Sequence, residues 1–101
     1  MRFETLRAHV AALIEAVLEG DAATPREVRR AAFEGRVEDP DLARYVTLVR
    51  EQAGRIRDDD VERLRAAGLG DDAVFELTLA AALGAAAERL RAGMAVLGRE
   101  P

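Results

Sequence analysis

Apolar residues recur at three- and four-residue steps along most of the chain, the signature of helices that bury one face. Phe3, Leu6, Val10, Leu13, Ile14 and Val17 form one such stripe and predict a first helix over residues 3–19, with Gly20 as its stop. Thr24, Pro25, Arg26 and Glu27 then read as a helix start, with Thr as cap, Pro at the first helical position and Glu completing a capping box. That second helix is short, ends near Gly35 and is expected to bury Val28, Ala31, Ala32 or Phe33. Asp39 before Pro40 opens a third helix, expected to reach about Arg57, with Leu42, Tyr45, Val46, Val49, Ala53 and Ile56 on one face. Asp58 is expected to cap a fourth helix carrying Val61, Leu64 and Ala67, and Asp59 and Asp60 suit the positive end of its dipole. Gly68 is expected to end it in the left-handed conformation.

The final pattern breaks the rule. From about Asp71 towards Leu97 a long helix is predicted, but its first half is apolar nearly all round: Ala73, Val74, Phe75, Leu77, Leu79, then Ala80 to Leu83. A helix without a solvated face is covered on both sides, and a domain this small has no second core to do so. Oligomerisation through this helix is the expectation, with Leu79, Leu83, Gly84, Ala87, Arg89 and Leu90 as interface residues. Gly84, beside Ala85, Ala86 and Ala87, suggests close approach of another helix, because an interior glycine otherwise costs about 1 kcal/mol relative to alanine. No strand is needed. The predicted architecture is all-α: about five helices in an antiparallel bundle forming a single domain over 1–101, with two N-terminal helices in 1–39.

Composition agrees with helices and excludes several chemistries. Half of the 101 residues are hydrophobic, mainly Ala, Leu and Val, and Phe3, Phe33, Tyr45 and Phe75 are the whole aromatic complement. Every basic side chain is Arg, as the codon bias of a GC-rich bacterial genome would produce. The net charge of −4 argues against a nucleic-acid footprint. Arg29 with Arg30, and Arg55 with Arg57, are flanked by acids and are expected to lie on a salt-bridged surface. Absence of cysteine removes disulfides, thiol redox chemistry and thiolate metal sites, and the single histidine, His9, removes multi-histidine zinc sites. No cofactor is expected. The N-terminal segment does not read as a signal peptide, and the longest uncharged run, Leu77 to Ala87, is too short for a bilayer. A cytoplasmic protein without a membrane partner is the expectation.

The stretch from Arg57 to Leu90, RDDDVERLRAAGLGDDAVFELTLAAALGAAAERL, carries a further pattern: a capped short helix, an LRAAG turn, a second acidic cap, and a long Ala-rich helix with a late Arg. In this order it resembles the C-terminal part of peroxidase-related proteins of the carboxymuconolactone decarboxylase and alkylhydroperoxidase D-like superfamily. Asp59, Asp60, Val61, Leu64, Ala66, Ala67, Gly68, Leu69, Asp71, Asp72, Glu76, Ala82 and Arg89 stand at the matching places, and the resemblance extends over residues 45–97. It implies an oligomeric all-α fold. The family's peroxidases use a Cys-x-x-Cys pair with a nearby His and Glu, upstream of the matched region, and this chain has no cysteine. The resemblance therefore implies a scaffold without thiol peroxidase activity.

Candidate chemistry rests on few groups. Glu76 lies between Phe75 and Leu77, and a desolvated carboxylate there would have a raised pKa suited to acid or base work; an ion pair to an Arg of another helix is the structural alternative. Arg89, thirteen residues later, is about 20 Å from it along one helix, so the two could meet only across antiparallel copies. His9 borders the first apolar stripe and lacks an evident orienting acid. The run Asp58–Asp59–Asp60 is explained by helix capping rather than by a metal. Three readings follow: a non-catalytic scaffold acting in assembly or partner binding, a decarboxylase-like enzyme using Glu76 and His9, or a subunit completing the site of a cysteine-bearing relative.

Overall fold

The computed structural model describes residues 3–98 and is all-helical there. Five helices follow one another: α1 (Phe3–Glu19), α2 (Arg26–Glu34), α3 (Pro40–Glu51), α4 (Asp58–Ala66) and α5 (Asp71–Val96). At 1.5 Å per residue α5 is about 39 Å long, and it accounts for most of the 45 Å long axis of the molecule. It is also the common wall of the core, packing most extensively on α2 and α3 and also touching α1 and α4.

The core contains Leu18 of α1, Ala32 of α2, Leu42, Tyr45, Val46 and Val49 of α3, Leu64 of α4, and Val74, Leu77, Ala80 and Ala81 of α5. Leucine and valine on α3 and α4 therefore close on alanines of α5, which lets the helix axes approach. Gly84 carries this furthest. A Cβ built there would overlap the Phe33 carbonyl at the end of α2 and lie 2.7 Å from Nη1 of Arg50. Arg50, nearly buried, fills the corner by donating to the Phe33 carbonyl and pairing with Glu88. The close approach expected at Gly84 thus occurs within the chain, between α2 and α5, and not across a subunit boundary.

Caps and left-handed glycines set several of the other element boundaries. Asp39 accepts a hydrogen bond from the Leu42 amide at 3.0 Å, as its place before Pro40 predicts. Gly35 and Gly68 adopt positive φ, 71° and 99°, and end α2 and α4. Three expected boundaries move. The second helix begins at Arg26, with Pro25 rather than Thr24 at the cap position. The third helix stops at Glu51 rather than near Arg57: Gln52 leaves helical geometry, a single 3₁₀ turn covers Ala53–Arg55, and Ile56 is extended. Gly54 weakens a helix there, and the break returns Ile56 to the core while Ala53 stays exposed. The fourth helix begins at Asp58, and its start is fixed by Asp60, whose carboxylate accepts the Arg57 amide at 2.8 Å. Asp58 is thus its first residue and not its cap.

Candidate functional site

Glu76 projects from the first turns of α5 towards the loop that joins α1 to α2. Its Oε2 accepts the Ala23 amide at 2.9 Å, and its Oε1 accepts the Thr24 amide at 2.8 Å and the Thr24 hydroxyl at 2.7 Å. Thr24 is buried, and its hydroxyl is consequently directed to Glu76 and not to the start of α2, where Pro25 takes the cap position without a side-chain bond. Desolvation, the largest single influence, raises the Glu76 pKa, but these three hydrogen bonds and the nearby Arg29 charge outweigh it and leave the pKa below the ordinary value. The raised pKa expected from the apolar neighbours in sequence does not arise, because the desolvation is real but the hydrogen bonds from Ala23 and Thr24 and the Arg29 charge outweigh it; Leu77 points into the core and Phe75 to solvent.

Arg29 is the companion that the sequence concealed. It is buried, donates from Nη1 to the Val17 carbonyl at 2.6 Å, and leaves its Nε without a partner. Its neighbour Arg30 pairs with Glu19 at 2.6 Å on the surface, so only half of the expected exposed pair is solvated. Both arginines tie the start of α2 to the end of α1, and Glu76 ties the loop between these helices to α5. His9 is exposed along α1 and its side chain makes no hydrogen bond among the described residues, so it is not brought to Glu76. Arg89 is not brought there either: it is exposed and donates from Nη2 to the Arg50 carbonyl at 2.7 Å.

A second polar feature lies where α3 meets α4. A cleft of about 730 Å³ is lined by Arg44, Arg55, Arg57, Arg63, Asp59 and Asp60, among others. Asp60 is buried and pairs with Arg44 at 2.6 Å; that hydrogen bond, followed by the Arg57 amide, holds its carboxyl below the usual range. No ion pair occupies the side chains of Arg55, Arg57 or Arg63 among the described residues, in contrast to the salt-bridged surface expected for Arg55 and Arg57. Among the described residues no three His, Asp or Glu side chains converge as a metal site.

The third feature is apolar. On α5, Phe75 is 67% exposed, Leu79 40%, Leu90 39% and, just past the helix end, Leu97 66%. Ala82, Ala86 and Gly93 between them are exposed as well. These residues lie on the side of α5 opposite Leu77, Ala81 and Gly84, and none is charged. Of the interface residues expected from sequence, Leu79 and Leu90 belong to this face, Leu83 and Ala87 flank it half-buried, Arg89 borders it, and Gly84 is buried on the far side. Sequence reasoning missed Phe75, Ala82, Ala86, Gly93 and Leu97. A helical wheel of α5 centred away from Gly84 would have grouped them. No helix among the described residues is long and apolar enough to cross a membrane.

Compared with protein families, curated proteins and solved structures, the chain has no match.

Proposed function

We propose that this protein is a non-catalytic assembly module, an alkylhydroperoxidase D-like helical scaffold whose outward α5 face binds another polypeptide helix. The observation that carries the reading is the uncharged, solvent-facing row from Phe75 to Leu97. Monomeric proteins rarely expose contiguous apolar patches beyond a few hundred Å², and this row follows one side of a helix for about 33 Å. Glu76 supports the same reading, since both of its oxygens are engaged in holding the α1–α2 loop. Support for the scaffold comes from the residues of the resemblance: Asp60 fixes the start of α4, Gly68 turns the chain with positive φ, and the Ala-rich segment forms one long helix.

The test is the molecular mass of the purified protein over a wide dilution series, with its thermal unfolding midpoint measured at each concentration. Assembly predicts a mass above 11.0 kDa and a midpoint that rises with concentration, because association stabilises only the folded chain. A mass of one protomer and a constant midpoint throughout would overturn self-assembly.

A further inference from the structure

The occupant of the α5 face can be read from the spacing of the face itself. Phe75, Leu79, Ala82, Ala86, Leu90, Gly93 and Leu97 follow one another at steps of four, three, four, four, three and four residues. That series is the same in both directions, with Ala86 at its centre. Its overall period, two repeats of eleven residues, is about 3.67 per turn and stays on one side of a nearly straight α-helix. We propose that α5 pairs antiparallel with α5 of a second copy, about a two-fold axis passing beside Ala86; this rests on the assembly reading above and specifies its partner and register.

In that arrangement Ala86 meets its own counterpart, Ala82 meets Leu90 of the second copy, Leu79 meets Gly93, and Phe75 meets Leu97. Each of the two inner pairs sets a large side chain against a small one, so the layers interdigitate without overpacking. Gly93 suits this because nothing lies within 4 Å of a Cβ placed there, leaving room for the leucine opposite. Two alanines at the axis permit close approach of the helices. A two-fold axis makes the interface self-complementary, so the seven positions of one copy satisfy the seven of the other. No charged residue lies within the row itself, and Arg89, which borders it, is exposed and already donates to the Arg50 carbonyl, so its charge falls at the solvated rim of the pairing.

The area is compatible with a specific but moderate dimer. A stripe about 33 Å long and roughly 12 Å wide presents on the order of 400 Å² from each copy. With the flanking Leu83 and Ala87 the two copies together approach the ~1,000 Å² that separates specific interfaces from chance contacts. Reversible dimerisation that responds to dilution is the consequence.

The natural chain contains no cysteine, so single cysteines report the register without background. Disulfide formation needs Cα atoms within about 7 Å. Under oxidation, Ala86→Cys should cross-link to a covalent dimer in high yield. Phe75→Cys and Leu90→Cys, each alone, should not, since their counterparts lie roughly 33 Å and 12 Å away along the paired helices. An equimolar mixture of Leu79→Cys and Gly93→Cys should give the mixed dimer. A wild-type protein that is dimeric by mass while Ala86→Cys stays unlinked overturns the register and leaves the assembly reading intact. Ready cross-linking of Phe75→Cys alone would show parallel pairing and overturn it equally. A wild-type protein that is monomeric at every concentration overturns both.

Discussion

Glu76 accepts three hydrogen bonds from a loop more than fifty residues away in sequence, and the charge on its carboxylate strengthens each of them. Glu76→Gln keeps the shape but turns an amide donor towards one of the loop's own donors. Its expected cost is about 1–3 kcal/mol, measured as a lowered denaturant midpoint at neutral pH. The pH dependence has a definite sign. The folded-state pKa of Glu76 is depressed, so its stabilisation is present above the unfolded-state pKa and is lost as pH falls through the folded-state value. Asp60 acts in the same direction through Arg44 and the Arg57 amide. Unfolding midpoints measured from neutral pH down through the carboxylate range should therefore fall more steeply in the wild type than in Glu76→Gln. Equal slopes would mean that Glu76 does not titrate with folding. The sequence singled out Glu76 and offered a structural pairing for it, but not its partners. Thr24 reads locally as a helix cap, and only the tertiary fold brings it within reach of Glu76. Arg29 was hidden similarly, because a long side chain on a short polar helix reads as surface until its guanidinium is seen on the Val17 carbonyl.

The helices themselves were well marked by local signals. The period of apolar residues in α1, the Asp39–Pro40 start and the left-handed Gly68 all act within a few residues of where they stand, and they place their elements correctly. The buried face of α1 was less legible: Leu18, outside the expected stripe, enters the core, while Leu13 of that stripe is exposed. The end of α3 was not legible because Ala53 and Ile56 continue its apolar face. The chain nevertheless breaks at Gln52 so that Ile56 packs from a different direction. Gly84 is the element-scale position with the sharpest prediction. Its backbone lies on an ordinary helix, so Gly84→Ala would stabilise an isolated helix by about 1 kcal/mol. Here the added methyl meets the Phe33 carbonyl, and α2 must move away from α5. The net expectation is destabilisation by about 1–3 kcal/mol, read from chemical denaturation. A variant as stable as the wild type would show that the α2–α5 contact is looser than described.

At the scale of the molecule, the fold is elongated: its radius of gyration is 14.6 Å, against about 13 Å for a compact chain of this length. The excess reflects α5, which is covered on one side by four helices and bare on the other. The sequence announced that α5 has apolar residues on every side. It could not show which of them the chain itself would bury, and so Gly84 and the outer row were placed together. Exposed Leu13 on α1 adds a further apolar site outside the core. The bare side of α5 is proposed as an assembly surface, and Leu79 lies on it without belonging to the core. The most direct test is therefore sedimentation equilibrium of Leu79→Glu beside the wild type at matched concentration, with helicity and unfolding midpoint measured at high dilution as controls on the fold. The wild type should sediment at about twice the 11.0 kDa protomer mass and Leu79→Glu as a monomer of unchanged helicity. Equal masses for the two proteins would contradict assembly through this face of α5.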